Sequence, residues 1–292
     1  MRVYCLIPVH NRLRETRAVL QCLAAQDYPE LSTVIVDDGS TDGTGEAIRR
    51  DYPGVTLIEG DGLLWWGGAM ATGLDFILPR AKKDDYVLFQ NNDTSFTPDY
   101  VSTLVSVSRA HDGAVVGSVT KDVDRPEVVL TIAPRIDYWK VRTVDLLETY
   151  EVGSGRPNGG LGLPEAIDAD ALCGRGTLYP VSVFRRVGGV RHRLLPHYLA
   201  DYEMSARAKA AGFRTIVSTR AVVWTESKLS GIEETAATWG ERLFDRRSRT
   251  NMVDSMAFFT LCGPWYLRPT GALRVVFFRL WGAVRRKCFA WR

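Results

Sequence analysis

Tyr86-Val87-Leu88-Phe89 is an apolar run that ends abruptly in Gln90-Asn91-Asn92-Asp93-Thr94. Charged Lys82-Lys83-Asp84-Asp85 precede it and Pro98 follows, so polar residues bound it on both sides. The pattern predicts a buried parallel strand that leaves its sheet at the carboxyl end. Open α/β sheets place their ligands at that end. On an extended backbone Asn91 and Asp93, two residues apart, face the same way, and Asp93 offers anionic oxygen to a hard divalent cation such as Mg2+ or Mn2+. A polar strand-to-loop cap is the other reading of the same residues.

Upstream, residues 3–8 predict a first strand, 12–25 an amphipathic helix, 33–36 a second strand and 46–50 a second helix. Strand, helix, strand, helix is the order of a doubly wound, mostly parallel α/β sheet. The first turn, Pro8-Val9-His10-Asn11, lacks the glycine fingerprint of a dinucleotide fold, which argues against an NAD enzyme. After the second strand comes Asp37-Asp38-Gly39-Ser40-Thr41-Asp42-Gly43-Thr44. A carboxylate there suits a base imide or a ribose hydroxyl, and Ser40, Thr41 or Asp42 also suits capping of the next helix. In Leu64-Trp65-Trp66-Gly67-Gly68 the tryptophans either stack on a ligand or pack a helix entry, and Gly67 and Gly68 can present N–H groups to a diphosphate.

The second half predicts a helix over 98–111, a strand over 114–117, a β-rich stretch over 128–144, and a glycine- and proline-containing mobile loop over 153–164. A strand resumes within 168–179, with a short helix over 181–187. Residues 197–212 form the clearest pattern: Met204, Ala208 and Ala211 recur at helical spacing and Gly212 stops the helix, with Asp201 at its start. Taken alone, Asp201 caps that helix and Glu203 adds favourable charge in its first turn. Residues 214–218 and 221–225 predict a closing strand pair.

The 292 residues suffice for a large single α/β domain, and a net charge of +3 gives no ground for a nucleic-acid partner. Five scattered cysteines without a C-x-x-C pair indicate neither a disulfide framework nor a zinc site and suit a reducing cytosol. The N-terminus carries no signal-peptide pattern and no apolar run reaches the ~20 residues of a membrane span. After Asp254 every charged residue is basic. On a helical wheel for 274–291, Phe277, Leu280, Trp281, Val284, Cys288 and Trp291 share one face and Arg279 and Arg286 lie opposite. Such a tail suits either an anionic membrane interface or docking on the protein's own body.

Three motifs taken together, Ile7-Pro8-Val9-His10-Asn11-Arg12, Val36-Asp37-Asp38-Gly39-Ser40 and Gln90-Asn91-Asn92-Asp93-Thr94, resemble the nucleotide-binding half of a family-2, inverting glycosyltransferase of the GT-A fold, rhamnosyltransferase-like members included. The resemblance implies a nucleotide-diphosphate-sugar donor (UDP- or dTDP-linked), with Pro8, Val9, Asn11 and Asp38 at its nucleoside, Gly67, Gly68, Asn91 and Asn92 lining the rest of the donor site, and Asp93 holding the metal. Asn91 replaces the family's usual first aspartate, and Thr225 stands where many relatives have a histidine. The family's acidic pair falls on Asp201 and Glu203, which makes Asp201 the base that deprotonates the acceptor hydroxyl and Glu203 the second catalytic candidate. The expected division is a donor half over 1–110, an acceptor and catalytic-base half over 111–255, and a basic amphipathic tail over 256–292. The acceptor is a saccharide or lipid-linked saccharide of bacterial surface glycan synthesis, met in the cytoplasm at the inner face of the membrane. The rival readings are a sugar-nucleotide pyrophosphorylase, which should show a Gly-rich basic loop after its first strand, and a non-catalytic carbohydrate-binding or membrane scaffold of the same fold.

Overall fold

The computed structural model describes residues 1–149, 163–226, 243–245, 248 and 250–289, the last seven of them as backbone only. The chain runs β1 (Val3–Val9), α1 (Leu13–Ala24), β2 (Leu31–Asp37), α2 (Thr44–Asp51), β3 (Thr56–Glu59), α3 (Trp65–Ile77), β4 (Tyr86–Phe89), β5 (Thr94–Ser95) and α4 (Tyr100–Ala110). It continues through β6 (Val115–Asp122), β7 (Val129–Thr131), β8 (Pro134–Asp137), β9 (Arg142–Asp145), α5 (Leu146–Thr149), β10 (Ala166–Asp168), β11 (Thr177–Pro180), α6 (Val181–Val187), α7 (Ala200–Ala210) and β12 (Thr215–Thr225). Two further helices, α8 (Met252–Cys262) and α9 (Gly271–Phe289), follow.

One sheet carries both halves, in the order β10-β12-β6-β11-β4-β1-β2-β3. The β3-β2-β1-β4 half is parallel throughout, whereas β11 runs antiparallel to both β4 and β6. The predicted closing pair is a single strand, β12, parallel to β6 and broken by a bulge between Ser218 and Val222. The stretch expected as one strand within 168–179 is two, β10 and β11, with a loop between them that carries Gly174. The predicted loop over 153–164 lies almost wholly outside the described residues.

Alternation along the strands fills two cores. Val3, Cys5, Ile7 and Val9 of β1 face α1 and α4, whereas Tyr4 and Leu6 face α3 and α7, as a period of two requires. Phe89 is wholly buried, packed tilted on Tyr179 at 4.8 Å and on Phe184 at 5.8 Å between ring centroids. A third cluster joins Ile136 of β8 and Ala206 of α7 to Phe258, Phe259 and Val275 of the C-terminal helices. The tail therefore docks on the body along one side. No described helix is long and apolar enough to cross a membrane.

The strand order puts a switch point between β1 and β4, because the chain builds β1-β2-β3 outward in one direction and then returns through α3 to the other side of β1. The loops after β1 and β4 therefore diverge at the carboxyl edge and leave a crevice between them. Replacing Phe89 by alanine, which removes the ring joining α3, β11 and α6 under that crevice, is expected to cost about 3–5 kcal/mol, read as a lower midpoint in chemical denaturation.

Candidate active site

The loops after β1 and β2 are tied together before any ligand is considered. Asn11 and Arg12 both adopt positive φ, 58° and 66°. The Asn11 N–H donates to Ser40 Oγ (2.6 Å), and Asn11 Oδ1 accepts from Thr41 N (2.9 Å). Asp42 caps both flanking helices: Oδ1 accepts from Thr44 N (3.1 Å) and Oδ2 from Leu13 N (3.0 Å). Capping within 40–42, one of the two sequence readings, is thus present and belongs to Asp42.

Asp38 turns away from the role expected for it. Its Oδ1 accepts from Gly62 N (2.8 Å) and its Oδ2 from Trp65 N (3.0 Å), and the residue is 5% exposed. The carboxylate satisfies orphan donors at the start of α3, across a long span of sequence. Trp65 has φ 57°, unusual for a bulky residue, which directs successive indoles apart. The Trp65 ring meets His197 edge-on at 5.6 Å. Trp66 packs edge-on against Phe89, and its Nε1 donates to Asn91 Oδ1 (3.1 Å).

Gly67 and Gly68 are buried and serve packing instead of a diphosphate. The Gly67 N–H donates to Pro196 O (2.8 Å), and a β-carbon there would stand 2.8 Å from Leu195 O. The Gly68 N–H is spent inside the helix on Leu64 O (3.0 Å). Sequence reasoning missed this because a glycine pair at a helix start looks the same whether a ligand or another backbone approaches it.

Asn91, Asn92 and Asp93 form a turn, not an extended strand end, and their side chains part company. Asn91 faces Trp66; Asn92 is buried and donates through Nδ2 to Thr16 Oγ1 (3.1 Å), which anchors the loop to α1 and takes this residue away from the donor. Asp93 Oδ2 pairs with Arg12 Nη1 at 3.2 Å. Asp93 Oδ1 is buried and accepts no hydrogen bond among the described residues, and Thr225 Oγ1, on the strand that pairs with Thr94, is buried and unpaired in the same way. An orphaned anionic oxygen at a strand-end crevice fits a hard divalent cation that keeps waters and shares ligands with a diphosphate. Among the described residues no group of three or more His, Cys, Asp or Glu assembles.

Asp201 lies in the first turn of α7. Its Oδ2 accepts from Gly174 N (2.7 Å) and its Oδ1 from its neighbour's Tyr202 N (2.9 Å). Burial of the carboxyl raises its pKa above the ordinary aspartate value, against the lowering effect of those N–H groups and of Arg175. The same surroundings push the Cys173 thiol up to about 11, chiefly through burial and then through Asp201. A β-carbon on Gly174 would collide with the Trp66 ring and stand 3.2 Å from Asp201 Cβ, so only glycine allows the indole and the carboxylate to share this corner. One indole thus spans from Asn91 to the Gly174–Asp201 contact.

Glu203, the second catalytic candidate, is excluded from the crevice. It is 1% exposed and paired with Arg207 through two bonds (2.8 and 2.9 Å) and with Arg191 at 3.3 Å. Arg207 in turn donates to the carbonyls of Val187 and Gly189, so the pair clamps the end of α6 onto α7.

Residues 4–151 match the family described as Glycosyl transferase family 2. The chain belongs to that family. Glycosyltransferase GlyA of Streptococcus pneumoniae serotype 4 is 29% identical over 107 residues, 35% of this chain and 14% of that protein, so the chain spans only a small part of the curated relative it matches. Among solved structures, the mannosyltransferase PcManGT from Pyrobaculum calidifontis, in complex with GDP-Man and Mn2+, superposes with a TM-score of 0.53 at 18% identity, over 94% of this chain and 73% of that one. S. aureus TarS 1-349 gives 0.55 at 16% identity, over 98% and 92%. At such identities the likeness shows the fold, the GT-A arrangement expected from the sequence. Within this family 2 member, replacing Glu203 by alanine leaves Arg207 and Arg191 facing a buried vacancy; a loss of about 3–5 kcal/mol in denaturant unfolding is expected.

Proposed function

We propose that the protein transfers a sugar from a nucleotide-diphosphate donor to an acceptor hydroxyl with inversion at the anomeric carbon. The observation that carries this reading is the placement of Asp201: a carboxylate with raised proton affinity, fixed by two backbone N–H groups and joined through Gly174 and Trp66 to the loop that bears Asp93. The Gly174 and Tyr202 N–H groups hold the carboxylate in one orientation, with lone pairs left to accept the acceptor's proton. The acceptor oxygen then attacks from the face opposite the departing diphosphate. Asp93 would hold Mg2+ or Mn2+, which would supply positive charge against the negative charge of the leaving diphosphate. PcManGT with Mn2+ and GDP-Man supports this part of the reading.

The nucleoside lies along the loops after β1 and β2, beside Pro8, Val9 and Asn11, with Asp38 acting indirectly through the start of α3. The base is uracil or thymine and the sugar a hexose or deoxyhexose, in keeping with the rhamnosyltransferase-like motifs. Residues 1–110 supply the donor side and 111–255 the acceptor side of one continuous sheet.

The tail supports a lipid-linked acceptor. Arg274 and Arg279 reach back to the body, to the Tyr138 carbonyl and Ser255 Oγ (3.3 Å), whereas Leu273, Phe277, Leu280 and Trp281 of α9 and the nearby Trp265 and Tyr266 are exposed. Val284, Cys288 and Trp291, assigned to the same face, and Arg285, Arg286 and Lys287 lie outside the described side chains. Such a face suits the inner leaflet of a bacterial membrane, where surface-glycan precursors are extended.

Two measurements test these statements. In a donor-turnover assay across UDP- and dTDP-sugars, Asp201→Asn is expected to lower kcat by about 10²–10⁴ while donor-induced thermal stabilisation stays unchanged; an unaltered rate rejects the base. Because the base must be ionised and burial raises its pKa, the parent's rate should fall with decreasing pH at a pH above the ordinary aspartate value, and Asp201→Asn should lack that limb. In flotation with anionic vesicles, the quadruple serine variant of Leu273, Phe277, Leu280 and Trp281 should stay at the bottom of the gradient while the parent rises; equal behaviour removes the membrane reading.

A further inference from the structure

Arg12 and Asp93 come from the loops on either side of the switch point, and their 3.2 Å bond links the two. The two partners are unequal. Asp93's side chain is 6% exposed and Arg12's is 40% exposed. The Arg12 backbone is held at φ 66° next to Asn11, itself bonded to Ser40 and Thr41, so only the side chain is at liberty to move. Asp93 makes no other ion pair among the described residues.

A divalent ion approaching Asp93 therefore meets a carboxylate already neutralised and a guanidinium of its own sign about one contact distance away. Guanidinium groups, however, bind phosphate oxygens in a bidentate fork, at least as well as they bind a single carboxylate oxygen. We propose that Arg12 competes with the divalent cation for Asp93 and is released by binding the donor's diphosphate, so that cation and donor enter the site as mutually coupled ligands. Coupling of this kind is reciprocal: what removes Arg12 from Asp93 tightens the cation, and the cation in turn frees Arg12 for the diphosphate. The inference rests on Asp93 being the cation ligand, and the variants below separate the two.

Mn2+ is titrated into the full chain, with free ion read by electron paramagnetic resonance and with no nucleotide present. Arg12→Gln should bind Mn2+ at least tenfold tighter than the parent, Arg12→Lys, which keeps the charge, should stay near the parent, and Asp93→Asn in the Arg12→Gln background should abolish the gain. Arg17→Gln removes a like charge from the adjoining helix α1, where Arg17 pairs with Asp51 at 3.0 Å, and should leave Mn2+ binding unchanged. In a second arm, UDP, dTDP and GDP are titrated in EDTA with tryptophan fluorescence, and the tightest should bind Arg12→Gln at least tenfold more weakly than the parent. Thermal melting confirms that each variant is folded, and Arg12→Lys carries the metal arm should Arg12→Gln melt early, since a Lys variant that binds Mn2+ tenfold tighter overturns charge competition. Arg12→Gln binding Mn2+ no tighter than the parent, or binding nucleotide equally well, overturns the role of Arg12 and leaves Asp93 standing. Mn2+ binding that survives Asp93→Asn overturns the cation site itself, and the inference with it.

Discussion

The carboxylate of Asp38 decides where α3 begins, and the site follows from that point. By accepting the Gly62 and Trp65 N–H groups it starts the helix at a tryptophan in a left-handed conformation, which sends Trp65 toward His197 and Trp66 toward Asn91. The next residue, Gly67, lets the 195–196 backbone pack directly on the helix. A single buried acid thus aligns the loop after β2, the indole that spans the crevice, and the segment leading into α7. The cost of burying a charge is offset by donors that would otherwise go unpaired at the helix start.

Asp201 and Glu203 show how far two acids can diverge over two residues. A helix turns about 100° per residue, so side chains two apart point to nearly opposite sides. Asp201 faces Gly174 and the crevice; Glu203 faces inward, onto Arg207 and Arg191. Glu203 is buried with two guanidinium partners, whereas the hydrogen bonds named for Asp201 come from backbone N–H groups, and desolvation raises its proton affinity against them and against Arg175. One is a clamp within the fold, and the other, less than a turn away, is the carboxylate we propose as the base.

The C-terminal helices repeat that division on a larger scale. Phe258, Phe259 and Val275 fill the cluster beneath α7, and Arg274 and Arg279 bond back to the body, to Tyr138 and Ser255, while the aromatic side of α9 stays in solvent. Docking on the body, one sequence reading of the tail, is present in the described part of α9; the exposed apolar side of the same helix is what the membrane proposal rests on.

The strand-helix order, the parallel donor half and the three loop motifs are legible in the sequence, because hydrophobic periodicity and turn residues are local and survive without knowledge of partners. The chain alone also places Asp93 at a strand end and Asp201 at a helix start. It does not reveal that Asn92 reaches Thr16, that Asp38 caps a helix, that Gly67 accommodates a carbonyl, or that Glu203 meets two arginines. A polar residue or a glycine looks the same in the sequence whether its partner is a ligand or a distant part of the chain. Residue types and spacing determined which groups stand near the crevice; only tertiary packing decided which of them remain available to a ligand, since each buried donor or acceptor had first to be satisfied from within the protein.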